Sequence, residues 1–322
     1  MTIFFGRLAA LITALILSTA STATIAQNYP NRPVRIVVGY AAGGSVDIVA
    51  RIVAEKLTQQ MGQRFIVDNR PGGGTIIASQ TVAKAAPDGY TIMLADIAHG
   101  ANPALNEKLP YDTEQDFSPV ALVALLPAIL AVEKSLPVAD VKEFVAYAKS
   151  KAGQLNYSSA GIGGMNFLAA EQFKIDTGID VTHVPYQSGG QAVGALLGGF
   201  VQMLMTTAPP LLGYTDKINI LAVSSDKRLA SLPNVPTFAE AGFPDYKMQL
   251  WQGFLAPAGT DRAILDSLNK AINTVLSMPD ARERISALGA EIVGGSPADF
   301  AKFIHDDIAK WKRIIPPALR KH

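Results

Sequence analysis

Two rhythms of apolar and polar positions alternate along the chain. Val34 to Tyr40 is an apolar run of strand length. In the stretch after it, Ser45 to Met61, Val46, Val49, Ala50, Val53 and Leu57 recur on one helical face, and Gly62 supplies a stop. Arg64 to Asp68 then reads as a strand and Ile76 to Ala86 as a helix, and the turn Pro87-Asp88-Gly89 leads into a strand from Tyr90 to Ala95. This alternation predicts right-handed βαβ units on a largely parallel sheet.

The pattern restarts in the middle of the chain. Val138 to Lys151 predicts a helix ended near Gly153, Leu155 to Ser159 a strand, and Asn166 to Lys174 a helix. Further strands are expected at Val181 to Tyr186, Val201 to Thr206 and Ile218 to Ser224. Beyond Trp251 the pattern is helical again, over Asp261 to Ser277, Asp280 to Leu288 and Pro297 to Ile315. No flexible Pro/Ser-rich linker separates the halves, so strand-like crossovers near Leu125 to Val132 and Gln249 to Pro257 are expected to join them. The fold class is therefore α/β, in two lobes, each a mostly parallel sheet flanked by helices. Residues 27–126 and 252–322 are assigned to the first lobe and 127–251 to the second.

Composition narrows the function classes. Met1 to Arg7, the apolar run Leu8 to Leu17 and the small polar stretch Ser18 to Ala26 have the layout of a secretory signal peptide. Cleavage is expected after Ala26, with Ala23 the alternative. The apolar run is about half the length that crosses a membrane. The protein has 322 residues and a formal charge of +1, which falls to zero once Arg7 is removed. That balance lacks the basic footprint of nucleic-acid or anionic-membrane binding. Cysteine is absent and only four histidines occur, so no disulfide, thiolate or zinc-type ligand pattern can be assembled. No cofactor and no metal are expected.

One loop type occurs twice. The first strand runs into Ala41-Ala42-Gly43-Gly44-Ser45, with Ser45 the expected N-cap of the helix that follows. The strand ending at Ser159 runs into Ala160-Gly161-Ile162-Gly163-Gly164, and again a helix follows. Glycine lets the backbone approach a ligand, and the free N–H groups of a first helical turn favour an anion beyond the carboxyl ends of the strands. Each loop taken singly can also be no more than a turn. The second loop is not a dinucleotide fingerprint, since Asn166 stands where the last glycine of one would be, and no phosphate loop occurs. Asp47, in the first helical turn, either offsets the helix dipole or accepts a hydrogen bond from a ligand.

At these residues the chain resembles the Bug family, the substrate-binding receptors of tripartite tricarboxylate transporters. The resemblance is carried by Gly43-Gly44-x-x-Asp47, Asp68-Asn69-Arg70-Pro71-Gly72, Lys84 to Tyr90, His99 with Asn102-Pro103, Leu109 to Asp112, Leu155 to Gly161, His183 to Tyr186, Leu232 to Thr237 and Leu255 to Thr260. It runs in order through the whole chain after residue 26. It implies a two-lobe, Venus-flytrap periplasmic receptor of the type II class, whose two glycine loops grip a carboxylate through backbone amides. It also implies delivery of a small organic acid to membrane transporter subunits or, alternatively, to a sensor kinase. The receptor is expected to be a periplasmic monomer.

The chain also departs from the family pattern. Ala41-Ala42 replace a common Pro-Pro, Gly164-Met165-Asn166-Phe167 a Thr-Ser-Ser-His series, Thr206-Thr207 an Asp-Asn, and Gln187 a Lys. These changes suggest a ligand less polar than a dicarboxylate or tricarboxylate, aromatic or mono-acidic. The expected ligand contacts are Tyr40, Ala41, Ala42, Gly43, Gly44, Ser45, Asp47, His99, Ala160, Gly161, Ile162, Gly163, Gly164, Met165, Asn166, Tyr186, Gln187, Ser188, Thr206 and Trp251. His99 and Trp251 have a structural alternative, His183 is expected to be structural, and Asp306 and Asp307 are expected on a solvated face. An exported hydrolase is disfavoured: there is no Gly-x-Ser-x-Gly elbow, no His-Glu-x-x-His and no catalytic cysteine.

Overall fold

The computed structural model describes residues 29–315; the expected signal peptide lies outside them. Two sheets form. The first has the order β11-β4-β10-β3-β1-β2, from β1 (Val34–Val38), β2 (Phe65–Asn69), β3 (Thr91–Asp96), β4 (Phe117–Pro127), β10 (Gln249–Pro257) and β11 (Glu291–Ile292). The second has the order β7-β6-β8-β5-β9, from β5 (Ile129–Glu133), β6 (Leu155–Ser159), β7 (Val181–Pro185), β8 (Met203–Thr206) and β9 (Ile218–Val223).

The two orders share one plan. Three parallel strands, β2-β1-β3 or β7-β6-β8, are followed by an antiparallel strand, β10 or β5, and then by one running with the first three. This is the expected two-lobe α/β architecture, but the sheets are mixed. The reason is the crossovers: β5 enters the second sheet straight from β4, and β10 returns to the first, so each arrives against the local strand direction. Only Ala128 separates β4 from β5. Its amide is close to Met248 O at 3.0 Å and Ser224 Oγ at 2.7 Å, and its carbonyl accepts the Ser224 amide at 2.8 Å. The Ser224 hydroxyl also donates to Met248 O, so both crossing segments are stapled together.

The helices follow the periodicity that predicts them. In α1 (Ser45–Met61) the five apolar positions on one face are all buried, and the chain turns at Gly62. α2 (Ile76–Ala83) stops short of the predicted Ala86, ahead of Pro87. α4 (Val141–Ser150) begins three residues later than expected because the Asp140 carboxylate caps it, accepting the Glu143 amide at 2.8 Å. α5 (Met165–Thr177) extends the predicted helix at both ends. Two helices escaped the pattern, α3 (Ile97–Leu105) and α6 (Gly189–Leu197). Their glycines and a proline weaken helical propensity, and caps from Asp96 and Ser188 set their starts instead.

α7 (Arg262–Ser277), α8 (Pro279–Ser286) and α9 (Pro297–Ile314) pack against the first sheet and its helices. α9 packs on α3 and β4 and corrects two readings. Asp307 is not on a solvated face: it is buried, and its carboxylate accepts the Trp251 indole N–H at 2.8 Å. Trp251 is 1% exposed and stands edge-on to Phe300 and Phe303, so it belongs to the core. Among the described residues no helix is long and apolar enough to cross a membrane.

Trp251 both fills the core and satisfies a buried acid. Trp251→Ala is expected to destabilise the fold by about 3–5 kcal/mol. Trp251→Phe, which keeps a ring but removes the indole N–H that Asp307 accepts, is expected to cost about 1–3 kcal/mol. Urea denaturation of the two variants measures both.

Candidate ligand-binding cleft

β1 and β6 each lie between two parallel neighbours, and each ends in one of the two glycine loops. The loops adopt the same backbone where they enter their helices. Gly43 has φ 93° and Gly163 φ 96°, values that a side chain disfavours. The next residues are the true N-caps: Gly44 at φ −79°, ψ 166° and Gly164 at φ −78°, ψ 167°. Ser45 is thus the first helical residue of α1 and not its cap. Neither helix has a side-chain cap. The first intrahelical amides to find carbonyls are Ile48, to Gly44 O, and Leu168, to Gly164 O, both at 3.0 Å. The amides of Ser45, Val46 and Asp47, and of Met165, Asn166 and Phe167, precede them and have no acceptor within the helix.

Both starts open into one cavity of about 810 Å³ between the lobes. Of the residues expected to touch a ligand, Tyr40 to Ser45, Ala160 to Ile162, Gly164 to Asn166, Tyr186 to Ser188 and Thr206 line it. Asp47, His99, Gly163 and Trp251 do not. Asp47 stands behind its loop: its carboxylate accepts the Gly43 amide, the Arg51 guanidinium and the Asn69 amide, each at 2.9 Å. Burial pushes the Asp47 carboxyl up, but these three bonds outweigh it and hold it below the usual range. Asn69 also ties down Tyr40 O at 3.0 Å. His99 is fully buried in α3 beside Phe117, and desolvation lowers it to about 4.

A different brace serves the second loop. The Ser159 hydroxyl accepts the Gly161 amide at 3.0 Å and meets His183 Nε2 at 2.6 Å. Burial lowers His183 to about 4, so the ring is neutral at ordinary pH. Asn166 turns its amide to Met205 O at 2.7 Å, and Ser188 caps α6.

Sequence reasoning missed several parts of the wall. Pro71 to Thr75, Gly189, Gly190 and Thr207 line the cavity, as do the apolar Val46, Ile48, Val193, Leu197, Pro209, Pro210 and Leu250. The starts of α2 and α6 therefore also face it. Pro71-Gly72 belong to the Asp68-Asn69-Arg70-Pro71-Gly72 motif, yet nothing in the spacing places that loop at the cleft. Among the described lining residues there is no Lys, Arg or His, and the only acid is Asp96. No group of three or more His, Asp or Glu side chains among the described residues could hold a metal ion.

The lobes touch across the cavity at the glycines. A Cβ on Gly74 would stand 2.9 Å from Ile162 O, and one on Gly163 would stand 3.3 Å from Leu105 Cδ1. Asn102, which donates to Gly74 O at 2.9 Å, lies beneath this contact.

Matched lobes that close on one cavity, joined by two stapled crossings, are the architecture of a solute-binding receptor. The chain belongs to the family described as the tripartite tricarboxylate transporter family receptor, which its residues 49–318 match. Members of this family are periplasmic receptors and not enzymes, and this chain is a solute-binding receptor of that kind. It is 34% identical to protein BugT of Bordetella pertussis (strain Tohama I) over 316 residues, covering 96% of each chain. It is similar to Rpa4515 of R. palustris with adipate, with TM-score 0.84 and 35% identity over 89% of this chain and 97% of that one. It is also similar to MatC of Rhodopseudomonas palustris with bound malate, with TM-score 0.83 and 32% identity over 89% of this chain and all of the other.

Gly74→Ala places a methyl against Ile162 O and forces a side chain to φ 63°. The variant is expected to open the cleft and weaken ligand binding. Small-angle scattering should show a larger radius of gyration than wild type under the same conditions; an unchanged radius refutes the closure contact.

Proposed function

We propose that this protein is a periplasmic receptor that captures a small organic carboxylate between its lobes and delivers it to a tripartite tricarboxylate-type transporter. The observation that carries the reading is the pair of glycine-capped helix starts, α1 and α5, which open on one cavity whose described lining lacks any cationic side chain. Helix N-termini stabilise an anion by dipole and amide donors together. A carboxylate has two oxygens and can engage both helix starts at once. The adipate and malate in the two relatives agree with this chemistry.

The rest of the cavity sets the body of the ligand. Ile48, Val193, Leu197, Pro209, Pro210 and Leu250 give an apolar wall, while Gln187 and Thr206 add only neutral polarity. A second carboxylate finds no cation here, so the reading favours a single acid group on an apolar or aromatic body. In this reading residues 127–251 form the lobe that swings against 27–126 and 252–322, with the Ala128–Ser224–Met248 staple as the hinge. The protein works as a monomer after cleavage of residues 1–26.

Thermal-shift screening of aliphatic and aromatic mono-, di- and tricarboxylates tests the class. Monocarboxylates with apolar bodies are expected to raise Tm most; stabilisation by citrate-like acids alone contradicts the ligand assignment, and no shift by any acid contradicts the receptor's carboxylate chemistry. Gly44→Pro and Gly164→Pro test the grip. The backbone φ at both caps suits proline, and the nearest atoms to an added Cβ are no closer than 3.9 Å, so each change removes the cap residue's own amide, the donor next in line to the three free amides of the helix start. Calorimetry is expected to show affinity falling about 10- to 100-fold for each, as for loss of a hydrogen bond to a charged group.

A further inference from the structure

Asp96 is the only Asp, Glu, Lys, Arg or His among the described residues lining the cavity. It closes β3 and caps α3, where Oδ1 accepts the Ala98 amide at 3.2 Å. Its other oxygen, Oδ2, accepts the Tyr40 hydroxyl at 2.7 Å. The residue is 2% exposed, so a ligand reaches it chiefly through Tyr40. Tyr40 Oη in turn lies 3.9 Å from the point where a Cβ on Gly164 would sit, beside the cap of α5 in the opposite lobe. The phenol therefore stands at the place where the second amide cluster meets the cavity.

A phenol has one proton to donate. With Asp96 ionised, that proton is held by the carboxylate, and the Tyr40 oxygen offers the cavity only lone pairs, which repel an anion. With Asp96 protonated, Oδ2–H donates to Tyr40 Oη, and the Tyr40 proton is released to point at a ligand oxygen. We propose that Asp96 and Tyr40 are a polarity switch in the cleft wall, so that capture of a carboxylate at the glycine loops takes up one proton at Asp96. The proposal rests on the carboxylate reading above and adds the residue that makes binding depend on protonation.

The surroundings support two accessible states. Burial pushes the Asp96 carboxyl up to about 7, against the Tyr40 and Ala98 bonds, and Asp307 on α9 adds repulsion. Asp307, itself raised to about 6 by burial, holds the Trp251 indole and has the Lys310 ammonium nearby. His99, on the helix that Asp96 caps, is uncharged near neutral pH because burial lowers it to about 4. From β10, Trp251 and Gln252, the latter in register with Asp96, present no charge. From the β1 side Tyr40 faces it, and burial, then Asp96, raise that phenol far above its ordinary value, so it remains a donor throughout.

The sign follows from linkage. A bound carboxylate stabilises the protonated form, so its affinity is flat below the free-state titration and weakens as pH rises through it. Between pH 6 and 8 the dissociation constant is expected to rise roughly five- to ten-fold. Calorimetry with benzoate and with adipate, at both pH values and in buffers of different ionisation heat, reads affinity and proton uptake together. Wild type should take up close to one proton at pH 8, whereas Asp96→Asn should bind with one affinity at both pH values and exchange none. Equal wild-type affinities at the two pH values, or a pH dependence that survives in Asp96→Asn, overturn the proposal. Tighter binding of glutamate at pH 8 than at pH 6 also overturns it, by assigning Asp96 to an ammonium group. A 13C-carboxyl NMR titration of the free protein needs no ligand, and an Asp96 signal that titrates in the ordinary carboxylate range refutes the switch separately. Failure of every acid to bind at either pH, with Asp96 titrating near neutrality, overturns instead the carboxylate reading, and the coupling falls with it.

Discussion

The architecture depends on backbone amides left without carbonyl partners. Any α-helix begins with N–H groups that its own turns cannot satisfy, and most helices here answer them with a side chain: Asp96, Asp140, Ser188, Asp261 and Ser296 each cap one. α1 and α5 have glycine at that position and no cap. In both, the donors stay available, and the cavity between the lobes is where they point. In the proposed reading a carboxylate supplies from outside the acceptors that the chain withholds.

Free donors are useful only if their directions are held. Each loop is braced from behind by a different set of side chains, Asp47 with Arg51 and Asn69 in the first lobe and Ser159 with His183 in the second. The charged brace is kept out of the cavity. Asp47 is fully paired, so its charge does not compete with a ligand anion. The described lining of the cleft has no cationic side chain, and in the proposed reading these braced amides favour a negative group beside a partly apolar wall.

Closure is the counterpart of this arrangement. The crossing strands are stapled at Ala128, Ser224 and Met248, while the loops around Gly74 and Gly163 meet at distances that leave no room for a side chain. In the proposed reading a hinge at this staple, and a seam where the Gly74 and Gly163 backbones pack on Ile162 O and the Leu105 side chain, bring the same two amide clusters together on closing. Asp96 sits where the seam, the cap of α3 and the C-terminal helix come together, and Asp307 couples it to the core that α9 seals.

Much of this was legible in the residues. Strong periodicity placed α1 and β6 to the residue, and the repeated strand–glycine–helix unit marked both halves of the grip, because glycine at a strand-to-helix turn is a local conformational requirement. Local pattern failed at α3 and α6, whose glycines and proline read as loop and whose helicity comes from caps and packing. It misplaced Trp251 and Asp307, because a residue at a crossover or on an amphipathic helix shows its partner only when the two elements are brought together. What the sequence by itself determined was most of the elements, the two-lobe class and the two glycine loops that open into helices, all properties of short stretches of backbone. Tertiary structure alone decided that those amides converge, that Asp47 and His183 stay behind their loops, and that one buried acid stands beside the grip. Each of these depends on distances between residues far apart in the chain, and only packing sets those distances.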